Sequence, residues 1–198
     1  MCEVLCVTNR LLCKEDFTSR IESIAKAQPK GIILREKDLS ASEYRSLAEA
    51  LLEICGRYNT LCILHSFADI AAELGAKALH LPLPILRELS PSKRSGFTIL
   101  GASCHSVEEA REAEALGCTY LIAGHVFDTD CKKGLAGRGL EFLKQVCDSV
   151  SIPVYAIGGI SEENAAQTVN AGAKGVCVMS GAMTCKCPKE YLAKFREI

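Results

Sequence analysis

The residues able to do chemistry in this 198-residue chain gather in a few short segments. The densest is GHVFDTDCKKGLAGRG at 124–139, which holds His125, Asp128, Asp130, Lys132, Lys133 and Arg138. It is too polar and glycine-rich for a helix, and long loops inside a compact domain usually carry function. Its cations and imidazole suit a lid over an anionic substrate. His65, His80 and His105 complete the histidine set. A single histidine at a strand end is more often structural, but four together form a titratable mouth suited to acid–base work. Arg35-Glu36-Lys37 places two cations around a carboxylate, and a surface ion pair on a solvated loop explains that triplet equally well. IGGI at 157–160 and MSGA at 179–182 each follow an apolar run. Small residues there expose backbone N–H groups, and beside a short helix start they bind a phosphomonoester. A turn needing glycine for geometry alone is the competing explanation, and two such turns on neighbouring strands favour phosphate.

These segments need elements to hold them. Short aliphatic runs at 3–8, 31–34, 61–64, 78–81, 98–101, 120–123, 153–157 and 175–179 read as strands. Between them, helices are expected at 16–27, 41–57, 67–74, 84–89, 107–116, 140–149, 162–170 and 189–197. In the longest helix Tyr44, Leu47, Ala48, Leu51, Leu52 and Cys55 recur at three- and four-residue steps, one apolar face. Ser40 with Glu43, and Ser106 with Glu109, have the spacing of capping boxes. ELGAKALH, ALGCTYLI and NAGAKGVC repeat one design, a helix end, a glycine and then a strand. Gly75, Gly117 and Gly172 therefore fall where a left-handed residue ends a helix. Strands apolar on both faces must be covered by helices, so the expected fold is α/β, a (β/α)8 TIM barrel over residues 1–198 as one domain. A doubly wound open sheet is the alternative, and the TNR after the first strand lacks its glycine-rich loop. In a barrel the strand C-termini build the active site, which is where the histidines and the two small-residue turns fall.

Composition narrows the function classes. The chain is 48% hydrophobic and 24% charged, with 23 Lys+Arg against 24 Asp+Glu. Near-neutral charge without a basic block offers no footprint for nucleic acid. No apolar run approaches the roughly 20 residues of a membrane span. The opening MCEVLCVTNRLL lacks the basic lead and long apolar stretch of a signal peptide, so a cytoplasmic setting is expected. Twelve cysteines contain no CxxC pair. Cys2, Cys6, Cys62, Cys118, Cys147 and Cys177 lie in or beside apolar runs, where reduced cysteine behaves as a small hydrophobe. Cys185 and Cys187 form the nearest pair, without a second pair to complete a metal site. No metal and no cofactor are assigned, and a homo-oligomer is left open.

ILREKD (33–38), GASCHSVEEA (101–110), the 124–139 loop, AIGGI (156–160) and VMSGA (178–182) resemble the thiamine-phosphate-synthase superfamily. That group is built on TIM barrels, and the likeness covers nearly the whole chain. Within it, the GHVFDTDCKKGLAGRG loop resembles the TenI-type thiazole tautomerases. The resemblance implies a cofactor-free proton shift that aromatises a carboxylated thiazole phosphate in thiamine biosynthesis. It carries the catalytic histidine of the GHVF motif onto His125. The substrate phosphate would then be held by Gly158, Gly159, Ser180 and Gly181. Arg35, Lys37, Ser103 and Lys132 are candidates for its carboxylate or for charge developing on the ring. In synthases, positions matching Arg35, Lys37 and Lys132 bind phosphate or pyrophosphate. Synthases also carry an Asn-Asp pair after the third strand and an Asp after the fourth, for magnesium and pyrophosphate. Here those places read His65-Ser66 and LPLP (81–84), without oxygen ligands for a hard cation. That departure favours the tautomerase. A synthase and a non-catalytic regulator that binds a thiazole or thiamine phosphate are the alternatives.

Overall fold

Eight parallel strands close on themselves in sequence order, β1 through β8, in a computed structural model that describes residues 2–129 and 134–198. The strands are β1 (Glu3–Val7), β2 (Gly31–Leu34), β3 (Cys62–His65), β4 (Ala78–Pro82), β5 (Ile99–Cys104), β6 (Tyr120–Gly124), β7 (Val154–Ile157) and β8 (Gly175–Val178). Closure is made by β1 against β8, with Leu5 opposite Cys177 and Cys6 opposite Val178. The outer helices include α1 (Phe17–Lys26), α2 (Ala41–Arg57), α3 (Ala68–Glu73), α4 (Leu83–Glu88), α5 (Pro91–Arg94), α6 (Val107–Ala115), α7 (Gly139–Ser149), α8 (Ala165–Asn170), α9 (Ser180–Thr184) and α10 (Pro188–Arg196). The expected barrel is therefore the observed one. None of the described helices is long and apolar enough to cross a membrane.

The two-residue period of the strands sorts their side chains into two cores. Leu5, Val7, Ile33, Ile63, Tyr120, Ile122, Tyr155 and Cys177 pack together within the barrel. Val4, Cys6, Ile32, Leu34, Leu64, Leu79, Leu121 and Val176 join the larger core that the helices cover. Gly101 makes room in the inner core: a Cβ there would lie 2.2 Å from the Tyr120 ring. Cys2, Cys6, Cys62, Cys118 and Cys177 are buried as expected, but Cys147 is only half-buried, while Cys55 and Cys104 are buried as well.

Local chemistry explains most boundaries. Ser40 and Glu43 form the full capping box of α2. At α6 the box is half made. Ser106 accepts from the Glu109 N–H at 3.2 Å, but the Glu109 carboxylate reaches past the cap to the His105 N–H, 2.6 Å away. Gly75, Gly117 and Gly172 take the positive φ that ends each helix. Strand β5 runs on to Cys104, past the expected end at Gly101, because Ser103 and Cys104 pair with Ile122 and Ala123. That extension fixes Ser103 in the sheet instead of on a loop. The unforeseen α5 is a single turn, and α9 is the short helix start expected beside the small-residue turn after β8.

Candidate active site

A cavity of about 670 Å³ opens at the C-terminal ends of the strands. Its wall includes Arg35, His105, His125, Gly158, Gly159, Ser180 and Gly181, with Asn9 after β1 and Tyr191 from α10. Six of the nine sequence-designated residues thus meet on one cavity. Lys37 is exposed and Ser103 half-buried, and neither lines it. Lys132 lies outside the described residues, as do Asp130 and Lys133 of the expected lid.

Arg35 reaches the wall through an arrangement that corrects the reading of its triplet. Glu36 does not face the cations beside it in sequence. Its buried carboxylate accepts from the Thr8 hydroxyl at 2.7 Å and from the Arg10 N–H at 3.0 Å, and the Arg10 guanidinium lies 3.2 Å away. Thr8 Oγ1 in turn accepts from the Arg35 N–H at 2.9 Å. A buried carboxylate with several donors is a fixed anchor. It ties the turn after β1 to the end of β2 and leaves Arg35 at the mouth.

The base of the 124–139 loop is built into the barrel. Val126 N–H donates to Ile157 O at 2.8 Å and Phe127 N–H to Gly158 O at 3.0 Å. On the return, Arg138 N–H donates to His125 O at 2.9 Å, and Gly137 N–H to Asp128 Oδ1 at 2.7 Å. Gly158 and Gly159 both take positive φ. A Cβ on Gly158 would stand 2.3 Å from His125 Cβ, and one on Gly159 2.4 Å from Asp128 O. Packing against the loop alone thus requires glycine at both positions. Among the described residues neither glycine's N–H is used in a hydrogen bond, so both can serve an anion. At α9 the first-turn N–H groups have no partner within the helix, as at any helix start.

The four histidines divide into two pairs. His125 is buried at the cavity wall with Nε2 3.2 Å from Leu135 O. A ring nitrogen facing a carbonyl must donate, so Nδ1 keeps the lone pair. That Nδ1 is buried without a hydrogen-bond partner among the described residues. His105 places Nδ1 2.6 Å from Gly124 O, the carbonyl that precedes His125. Its other nitrogen is thereby the acceptor. His105 counts among the four strand-end histidines of the sequence reading but has no individual role there; its place after β5 is the available signal.

His65 and His80 depart from the expected titratable mouth. Both point into the barrel, are buried, and have rings stacked at 5.6 Å. Burial is the main force holding His65 down to about 2, helped by the charges of His80, Arg35 and Lys37. Burial likewise lowers His80 to about 3, with Arg35 adding to it. Both are neutral near pH 7. His80 lies between the Tyr120 hydroxyl, 3.0 Å from Nδ1, and the Ser103 hydroxyl, 2.9 Å from Nε2. His65 Nδ1 meets Ser66 Oγ at 2.7 Å.

The places that the resemblance assigns to magnesium ligands in synthases hold His65-Ser66 and Leu81-Pro82-Leu83-Pro84 here. Asp128 is the carboxylate on the described cavity wall. Among the described residues no group of three or more His, Cys, Asp or Glu could hold a metal ion. This donor set does not fit a hard divalent cation, which seeks several oxygen ligands.

Residues 4–182 match the family model described as thiamine monophosphate synthase. The chain is 34% identical to the thiamine-phosphate synthase of Fusobacterium nucleatum, covering 98% of this chain and 96% of that protein. It is 38% identical to the thiamine-phosphate synthase of Clostridium acetobutylicum, covering 90% and 85%. A thiamine phosphate pyrophosphorylase from Pyrococcus furiosus superposes with a TM-score of 0.83 at 29% identity, covering 98% and 94% of the two chains. These names are those of a synthase, a transferase; none of them matches the isomerase expected from the GHVF loop.

Proposed function

The chain belongs to the thiamine monophosphate synthase family, and from that premise we propose a cofactor-free proton shift on a thiazole phosphate as its reaction. The observation that carries this reading is the shared cavity: His125 lies on the same wall as Gly158, Gly159, Ser180 and Gly181. The proposed substrate is a non-aromatic thiazoline with an exocyclic double bond, a C2 carboxylate and an ethyl phosphate tail. His125 removes the C2 proton as the imidazole on the cavity wall. The ring electrons shift toward the exocyclic carbon, which takes the proton back from the same imidazole, and the aromatic thiazole results. No electron acceptor is needed, because the product is an isomer of the substrate. Arg35, on the same wall, faces the carboxylate charge; Lys37 and Ser103, off the wall, act at most through neighbours. A reducing, cytoplasmic setting belongs to this proposal, consistent with the unpaired cysteines.

A second reading is favoured by the names of the relatives, which support it better than the first: a synthase joining a thiazole phosphate to a pyrimidine diphosphate with release of pyrophosphate. Against it stands the poor fit of the strand-end donors to magnesium.

One pair of assays separates them. In metal-free buffer, thiazole absorbance is followed as the non-aromatic phosphate meets wild type or His125→Asn. In parallel, pyrophosphate is measured with thiazole phosphate, pyrimidine diphosphate and magnesium. Acceleration by wild type alone in the first assay is expected. Pyrophosphate release with no acceleration returns the chain to the synthase reading, and ligand binding without turnover in either points to a regulator.

A further inference from the structure

Tyr191 comes from α10, the last helix, yet it reaches the cavity wall beside the turn after β8. Its ring tip rests on Gly181: a Cβ built there would lie 2.1 Å from the phenol oxygen and 2.5 Å from Cζ. The ring is held edge-on by Phe195, centroids 5.2 Å apart, and Phe195 is fully buried. The ring's position is therefore fixed from the protein side. Among the described residues its hydroxyl makes no hydrogen bond, although it borders the cavity. Burial pushes its ionisation upward, so the oxygen carries a proton throughout the working range. A half-buried phenol usually finds a partner. The hydroxyl is therefore available to a ligand in this cavity.

We propose that Tyr191 is a substrate-binding residue, donating its phenol O–H to the phosphate held at the turns after β7 and β8. This rests on the phosphate being at that end of the cavity, as in the proposed reaction. It gives Gly181 a second role, since the missing side chain is what lets the phenol approach. Ring packing alone is the rival explanation, and Tyr191→Phe separates the two by deleting the oxygen and keeping the ring.

The test is calorimetric binding of three probes, the aromatic thiazole ethyl phosphate, its dephosphorylated alcohol and inorganic phosphate, to wild type and Tyr191→Phe. A hydrogen bond to a charged group typically carries about 1.5–3 kcal/mol, so roughly a tenfold or greater loss is expected for the phosphate ester. The alcohol should bind both proteins equally. Equal affinity of the two proteins for the ester overturns the role of Tyr191. If wild type binds no thiazole phosphate, the proposed reaction fails, and inorganic phosphate then decides this inference by the same comparison. Gly181→Ala supplies a second variant, since its methyl must push the phenol aside. Ester affinity left intact by both variants overturns the proposal, whatever their melting temperatures.

Discussion

The two histidine pairs lie toward the C-terminal ends of their strands and have opposite fates. His105 and His125 border the cavity between β5 and β6. His65 and His80 are sealed into the barrel beneath β3 and β4. The difference comes from side-chain parity and from what fills the barrel. His65 and His80 occupy inward positions in line with Ile63 and Ala78, and Tyr120 and Ser103 close over His80. His125 follows the last strand residue, where the chain leaves the sheet and the Leu135 carbonyl can reach it. A strand end alone thus does not make an acid–base group. His65 and His80 lie within β3 and β4 and are sealed in, whereas His105 and His125 lie just past β5 and β6 and reach the cavity wall.

Replacing the two kinds of histidine should break this comparison most sharply. General acid–base participation typically contributes ~10²–10⁴-fold. His125→Asn should therefore lose about that factor in kcat while retaining product affinity and melting temperature. Single-turnover kinetics beside calorimetry check both halves. Turnover that survives the substitution removes His125 from the mechanism. His80→Leu should behave in the reverse sense. It strands the Tyr120 hydroxyl in the barrel, and a buried unpaired group costs about 1–3 kcal/mol. The expected result is a lower urea midpoint with kcat changed less than about threefold, a factor worth only ~0.6 kcal/mol.

The scaffold pair also leaves a signature in pH. Both folded pKa values lie below the ordinary histidine value of 6.5. The unfolded chain therefore binds protons that the native state refuses, so stability is full above about pH 6.5 and falls as pH drops below it. Each histidine can contribute up to about 1.4 kcal/mol per pH unit between about 6.5 and its folded pKa. Between pH 6.5 and 5 the shifted surface carboxylates, whose pKa values lie lower still, contribute little. Urea titrations across that window should show the slope, and His80→Leu should remove about half of it. A flat wild-type profile there would mean that the imidazoles are not held neutral in the native protein.

Much of this architecture is legible in the residues themselves. Runs apolar on both faces, glycines closing helices and the spacing of Tyr44, Ala48, Leu51 and Cys55 all lead to a helix-covered barrel. The convergence of Arg35, His125 and the small-residue turns follows once strand ends are assigned. What stays hidden is contact across the fold. No local pattern indicates that Glu36 bonds Thr8 and Arg10 across 28 and 26 positions. Nor does one place Tyr191 against Gly181, because a helix after the eighth strand is ordinarily read as cover. The burial of His65 and His80 depends on Tyr44, Tyr120 and the strands on either side, none of which is adjacent in sequence. The Tyr44 hydroxyl donates to Leu34 O at 2.9 Å and accepts from His65 N–H at 2.8 Å, so one helix side chain joins two strand ends.

Ser103 sharpens the comparison at its smallest scale, because the residue motif and the geometry disagree about it. By resemblance it belongs with Arg35 and Lys37 as a ligand for substrate charge. In the fold it lies off the described cavity wall, with its hydroxyl 2.9 Å from His80 Nε2. With the Tyr120 hydroxyl donating to Nδ1, His80 Nε2–H donates to Ser103, and the serine proton is left for another acceptor. If its role is to satisfy a neutral imidazole, Ser103→Ala leaves one buried donor unpaired and costs about 1 kcal/mol of stability, while KM stays within about twofold. If instead it touches the substrate carboxylate, a hydrogen bond to charge is lost and KM rises by roughly tenfold or more. Steady-state kinetics and a urea titration on the same preparation distinguish these outcomes. The geometry favours the first, placing Ser103 with the scaffold histidines and His125 with the cavity.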